Sequence, residues 1–169
     1  MKQLPICVAA LLLAAGAIGA GPALAVDASY SLRVMTPETA LKAALAAQKS
    51  CRDAGFQVTV AVVDRAGQTQ VVLRDRYAGM HTTTAAVDKA WTAASFKSDT
   101  SQLADATQPG KASSGIRDIP RVLALGGGML VDIGGNLYGA IGISGAPSGQ
   151  ADERCAKDGI EAVSEDLEL

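Results

Sequence analysis

Two pairs of apolar runs, each turned back through glycine, constrain the fold of this chain more than any other feature. The runs cover residues 56–64, 69–74, 129–133 and 137–144. Gly67 lies between the first two runs and Gly134 between the last two, as is typical of β-hairpins, whose turns need positive φ. Because hairpins pair their strands antiparallel, the chain is predicted to contain an antiparallel sheet.

Helical segments precede, separate and follow the two hairpins. Thr36 and Pro37 form a capped helix start, and Gly55 is a helix stop. A second helix is predicted within residues 78–97, and a third begins after Ser148. This order is typical of an α+β fold with helices packed on the sheet. The sheet is expected to have about five strands. A further apolar run lies at residues 122–125.

The N-terminus has the pattern of a secretory signal peptide. Lys2 precedes an apolar run over residues 6–20, and small residues end the segment at Ala23 and Ala25. The alternative is a membrane anchor, but the run is shorter than the roughly 20 apolar residues of a span. We therefore expect cleavage after Ala25, a single domain over residues 26–169, and a periplasmic or secreted protein that is not inserted in a membrane.

The charge balance argues against nucleic acid as a partner. The chain has a formal charge of −2, and removal of residues 1–25 takes away Lys2 and no acid, which leaves −3. Nucleic-acid binding needs a basic surface, which this composition does not supply.

Two cysteines remain after the predicted cleavage, Cys51 and Cys155. An even number in an oxidising compartment favours a disulfide. Each cysteine lies on a small-residue face of a predicted helix, near the end of the first helix and the start of the last. Antiparallel packing of these helices would bring the two cysteines together. The alternative is a pair of buried free thiols, which pack as small apolar groups.

The middle helix carries the single histidine of the chain, His81, and the single tryptophan, Trp91. At helical spacing two stripes lie side by side. The bulkier stripe, suited to a core, is Met80, Thr84, Val87, Trp91 and Ala94. The polar stripe either faces water or lines a cavity or partner, and consists of His81, Ala85, Asp88, Thr92 and Ser95.

The catalytic inventory is thin, and the chain is not expected to be an enzyme. It lacks a two-histidine zinc motif, a G-x-S-x-G elbow and a C-x-x-C site. The glycines at 126–128 lack the dinucleotide spacing and favour a bend where backbone approaches backbone or ligand. Asp152 and Glu153 are most simply a solvated helix start. Lys89 could be a buried amine, although a lysine whose amine reaches water is commoner.

Four ordered segments nevertheless carry a specific resemblance. They are Val-Ala-Val-Val-Asp-Arg-Ala-Gly at 60–67, His-Thr with Asp-Lys-Ala-Trp-Thr-Ala-Ala-Ser-Phe within 81–96, Leu-Ala-Leu-Gly-Gly-Gly at 123–128, and Gly-Ala-Ile-Gly-Ile-Ser-Gly-Ala at 139–146. Together they resemble the GlcG/HbpS family, which is related to the C-terminal domain of PduO-type proteins. The resemblance implies a profilin-like fold, homo-oligomers and, in several members, haem binding.

The resemblance makes haem the expected cofactor and His81 the expected axial ligand of its iron. Neutral imidazole is a good haem ligand. Met80, Thr82 and Lys89 complete the expected haem-binding set, as an apolar wall, a family match beside the histidine and a cation for a propionate. The leading hypothesis is an exported protein for haem sequestration, storage or sensing.

Two alternatives stay open. One is a non-haem module for an organic acid or a corrinoid, as the family's genetic associations suggest. The other is a structural oligomer that serves a membrane sensor.

Overall fold

The two hairpins lie side by side in one sheet, and each contributes one of its two central strands. In the computed structural model, which describes residues 28–168, β1 (Thr59–Asp64) pairs with β2 (Thr69–Arg74), and β3 (Gly128–Ile133) pairs with β4 (Asn136–Ser144). Strand β1 also pairs with β4, so the sheet is antiparallel throughout, in the order β2-β1-β4-β3. The predicted α+β class and antiparallel sheet are confirmed, with four strands instead of about five.

The apolar run at residues 122–125 adds no strand, because its backbone bonds to side-chain and local partners. The amide of Leu123 donates to Thr92 Oγ1 at 2.9 Å, and the amide of Leu125 donates to Leu123 O at 2.9 Å. These hydrogen bonds take the place of a strand ladder along this run.

Two long helices cover one face of the sheet. Helix α1 (Pro37–Asp53) is capped by Thr36, and helix α4 (Gly149–Leu167) is capped by Ser148, both as predicted. They pack on Val60 and Val62 of β1 and on the isoleucines of β4. Alternation along β1 places these valines on this face and sends Ala61 and Val63 to the other.

Small side chains let α1 and α4 approach closely. A Cβ added to Gly159 of α4 would lie 2.7 Å from Ala47 Cβ and 2.8 Å from Ala43 O of α1. Cys51 and Cys155 form a disulfide between the two helices, with Cα atoms 5.4 Å apart. The disulfide therefore joins the first helix to the last, across 104 positions of sequence.

Helix α2 (Thr82–Phe96) covers the opposite face of the sheet. Apart from Ala94, the side chains that it buries there are not those of the bulkier stripe. Its buried residues are Thr82, Ala86, Lys89, Ala90, Thr92, Ala93 and Ala94. Met80 is 92 % exposed and Trp91 only partly buried, so the expectation of a bulky buried stripe is wrong. The reason lies in β4, where a Cβ on Gly142 would collide with Ala86 O. Backbones this close leave room for small side chains only.

The segment between α2 and β3 is short on regular structure, as expected. It contains helix α3 (Thr100–Ala106) and a 3₁₀ turn at Ser114–Asp118. Arg117 joins the two by donating from Nε to Thr107 O at 2.8 Å and from a terminal nitrogen to Ala104 O at 2.9 Å. The predicted signal peptide, residues 1–25, lies outside the described residues. Within residues 28–168, no helix combines the length and apolarity that crossing a membrane requires.

Candidate ligand-binding site

A cavity of about 530 Å³ opens where the start of α2 faces the turn between β4 and α4. Ligand pockets in proteins have volumes of this order. Helix α2 supplies one wall, and the turn at residues 144–149 supplies a second. The third wall is Leu123 and Leu125 from residues 119–125, which we call the strap.

His81 stands immediately before α2 and lines this cavity with an exposed side chain. Its ring packs on Gly79, where an added Cβ would lie 2.8 Å from His81 Cε1 and 3.0 Å from Nδ1. The side chain makes no capping hydrogen bond to the helix. The imidazole is therefore available to a ligand in the cavity, and Gly79 provides the space for its ring.

Thr82 fixes the position of His81 from beneath. Its buried hydroxyl donates to Gly79 O at 2.6 Å and lies 2.8 Å from Thr59 Oγ1. Since a hydroxyl has one hydrogen, Thr59 is the donor in the second bond. The start of α2 is thus tied both to its own preceding turn and to the central strand β1.

Lys89 and Asp152 form a buried ion pair at the inner end of the cavity. Lys89 Nζ lies 2.8 Å from Asp152 Oδ2 and donates to Ile143 O at 2.9 Å, and both side chains are at most 4 % exposed. Asp152 Oδ1 accepts from the Ala146 amide at 3.0 Å. The pair therefore connects α2, β4 and the first turn of α4.

Burial controls the electrostatics of this pair. It raises the pKa of Asp152 above its usual 3.8, and the charge of Lys89 and the hydrogen bonds to Lys89 and Ala146 oppose that rise. The expectation of a solvated Asp152 is wrong, as is the preference for a Lys89 whose amine reaches water. Each was judged without the partner that makes burial of the charge possible.

The glycines at 126–128 make room for this pair. A Cβ on Gly127 would lie 2.8 Å from Lys89 Nζ and 2.6 Å from Ile143 O, and Gly127 has a φ of +117°. Gly127 O also accepts from the Ile143 amide at 2.8 Å. The sequence expectation of a bend where backbone approaches backbone agrees with this geometry.

The structure brings together three of the four residues in the predicted haem-binding set. His81, Thr82 and Lys89 all line the cavity, whereas Met80 does not. Met80 lies two residues before α2 and is exposed to solvent. The sequence prediction was wrong because it extended helical spacing beyond the first residue of the helix. The sequence reading missed Asp152 and the two strap leucines, although Leu123 and Leu125 belong to the quoted Leu-Ala-Leu-Gly-Gly-Gly segment.

Chemically, the cavity offers the imidazole nitrogen of His81, apolar walls and the buried ammonium group of Lys89. An imidazole can coordinate a metal or accept a proton. Leu123, Leu125 and Pro147 provide apolar surface, and Lys89 has one ammonium hydrogen beyond the two used by Asp152 and Ile143. This set suits a flat, largely apolar ligand that carries an acceptor and a metal.

Comparison with known proteins identifies the family of this chain. The family model described as "Haem degrading protein HbpS-like" matches residues 35–161. A crystal structure of a double mutant of HbpS from Streptomyces reticuli is 39 % identical, with a TM-score of 0.76, and the match covers 85 % of this chain and 97 % of that one.

Two further relatives extend the comparison. The crystal structure of a PduOC:heme complex is 31 % identical, with a TM-score of 0.73, over 77 % of this chain and 95 % of that one. An uncharacterised 15.0 kDa protein of Citrobacter freundii is 30 % identical over 81 % of this chain and 97 % of its own length. With the family model spanning most of the described residues, this chain belongs to the HbpS-like family.

Proposed function

We propose that this protein binds haem in the cavity beside α2, with His81 as an axial ligand of the iron. The observation that carries the proposal is the position of His81. Its exposed ring makes no capping hydrogen bond to α2 and lies at the edge of a cavity of about 530 Å³. The similarity to a chain solved as a haem complex supports it. Haem, when bound, supplies an iron centre that can coordinate small molecules and exchange electrons.

The residues of the cavity fit the parts of a haem group. His81 offers the nitrogen that iron needs, and Leu123, Leu125 and Pro147 offer apolar surface for a macrocycle. Lys89 can direct its remaining ammonium hydrogen to a propionate while Asp152 balances its charge. Thr82 acts through His81, because its two hydrogen bonds hold the turn that presents the imidazole.

The first test is a haemin titration of the mature protein. Wild type is expected to give a Soret band of a coordinated haem, and His81→Ala to bind at least about 100-fold more weakly, since changes one shell further out already cost about 10–100-fold. Met80→Ala is the matched control, because Met80 is adjacent in sequence but outside the cavity.

Unchanged spectra and affinity in His81→Ala would contradict coordination by His81. Titration with a corrinoid in place of haemin tests the main alternative ligand. A corrinoid that binds tightly where haemin does not would overturn the proposal in favour of that alternative.

We further propose binding without turnover, as a function in sequestration, storage or sensing. The support is the small set of polar groups at the cavity, where Lys89 and Asp152 are committed to each other and to backbone partners. Haem that the wild-type complex consumes faster than free haemin in hydrogen peroxide would contradict this part of the proposal.

The protein is also proposed to be exported and to self-associate. Export is supported by the sequence of residues 1–25 and by the Cys51–Cys155 disulfide, since disulfides persist in oxidising compartments. Self-association is supported by apolar side chains on the outer surface, among them Leu41 and Leu45 of α1 and Val72 of β2. A symmetric homo-oligomer would bury such surface.

Native mass spectrometry of protein from the extracytoplasmic fraction tests both points together. The expected result is an assembly of several protomers, each lacking residues 1–25. A protomer mass that includes the first 25 residues would contradict cleavage, and a monomer at micromolar concentration would contradict self-association.

A further inference from the structure

Helix α2 carries two adjacent functional faces. His81, Ala85 and Lys89 line the cavity. The next face, formed by Asp88, Trp91 and Thr92, contacts the strap that bears the leucines opposite His81. One helix therefore positions both the proposed iron ligand and the apolar wall across from it.

The side chain of Arg121 anchors the strap to this second face. Its guanidinium carbon lies 4.7 Å from the ring centroid of Trp91, within the range of a cation–π contact. Its Nε donates to Asp88 Oδ1 at 3.3 Å. Trp91 is in turn held by the β1–β2 turn, where a Cβ on Gly67 would lie 2.8 Å from Trp91 Cδ1. Arg121 therefore packs on a tryptophan ring that is itself held in place by the β1–β2 turn.

The backbone around Arg121 is held by the same helix. Buried Thr92 donates to Arg121 O at 3.4 Å and accepts from the Leu123 amide at 2.9 Å. Arg121 has a φ of +72°, a left-handed conformation that is costly for a residue with a side chain. Its contacts to α2 must offset that cost, so removal of the anchor should release the strap.

We propose that Arg121 is a positioning residue for ligand retention: it holds Leu123 against the ligand and slows ligand release. This inference rests on the proposed function of the cavity. Arg121 acts through Leu123. Its side chain keeps the strap against α2, where the hydrogen bonds of Thr92 to Arg121 O and to the Leu123 amide fix the direction in which the leucine enters the cavity. Arg121 itself is not among the cavity-lining residues.

Haemin release to a scavenger measures this role in Arg121→Ala, Leu123→Ala and the double variant. Arg121→Ala is expected to release haemin about tenfold faster, since a cation–π contact and a surface ion pair together contribute about one factor of ten. Leu123→Ala is expected to release it at least about tenfold faster, because it removes the apolar contact itself. The double variant should be no more than about twofold faster than Leu123→Ala, because both changes remove the same wall. The absorption spectrum should stay that of wild type, since His81 is intact.

Arg117→Ala is the matched control, because it removes an arginine that ties down the same irregular segment away from the cavity. It is expected to leave release unchanged. If Arg121→Ala folds poorly, Arg121→Gln replaces it, since glutamine keeps the cost of the positive φ and removes the charge that contacts Trp91 and Asp88.

Hydrogen–deuterium exchange at the Leu123 amide gives a second measurement that needs no ligand. Exchange should accelerate in Arg121→Ala and stay unchanged in Arg117→Ala. Wild-type release in Arg121→Ala, multiplied effects in the double variant, or wild-type exchange at Leu123 would each overturn the role of Arg121. A wild-type protein that takes up no haemin would instead overturn the proposed function, while exchange at Leu123 would still decide whether Arg121 holds the strap.

Discussion

Replacing both Cys51 and Cys155 by alanine should lower the free energy of unfolding by about 4–5 kcal/mol. The disulfide closes a loop with a sequence separation of 104, and in the chain-entropy model a loop of about 100 residues gives this magnitude. The effect arises in the unfolded chain, which gains conformations once the link between α1 and α4 is gone. Urea denaturation of oxidised wild type and the double variant measures the difference.

Dithiothreitol provides the matched control for this prediction. It should destabilise wild type by a similar amount and leave the double variant unchanged. Two freely alkylated thiols in denatured, non-reduced protein, or a stability loss below about 1 kcal/mol, would rule out a stabilising disulfide.

Lys89→Met should cost about 3–5 kcal/mol at neutral pH, because it leaves the buried carboxylate of Asp152 without its cation. Lys89→Met/Asp152→Asn should recover at least about half of that loss, since it removes both charges and keeps an acceptor for the Ala146 amide. Urea denaturation at pH 7 compares the three proteins. A single variant as stable as wild type, or a double variant less stable than the single one, would contradict this account of the pair.

The pH dependence follows from the direction of the Asp152 pKa. Burial already raises that pKa, and Lys89→Met removes the charge that most opposes the rise, so the pKa increases further. A carboxyl group whose pKa is raised in the folded state does not destabilise the fold at a pH below its pKa in the unfolded chain, which is near 3.8. It destabilises the fold as the pH rises from there through the raised pKa of the folded state. The stability gap between wild type and Lys89→Met should therefore narrow as pH falls from 7 toward 4, and a constant gap would contradict this cause.

The fold followed from local patterns to a large extent. Turn glycines such as Gly67 and helix caps such as Thr36 and Ser148 act within a few residues, so the sequence predicted both hairpins and the two long helices. The sheet has four strands instead of about five, and the apolar run at residues 122–125 forms a cavity wall. Its Leu123 amide bonds to Thr92 on α2, 31 residues earlier, and local patterns do not contain such a contact.

The candidate site depended on contacts that local patterns do not contain. His81 was identified as the single histidine, and the structure places it at the cavity. Asp152 was assigned to solvent because its partner Lys89 lies 63 residues away. The polar stripe on α2 had been left between water, cavity and partner. The structure divides it, with His81 at the cavity and Asp88 and Thr92 against the strap.

The space beside Gly127 has a consequence for how such a sequence can diverge. Lys89 Nζ and Asp152 Cβ occupy the volume that any side chain at position 127 would need. The backbone oxygen of Ile143, 2.6 Å from the same position, and the φ of +117° exclude a side chain there even when the ion pair is replaced by smaller groups. Loss of the lysine alone is also costly. Position 127 is therefore confined to glycine, whereas positions 89 and 152 can change only together, because losing one partner leaves the other as an unpaired buried charge.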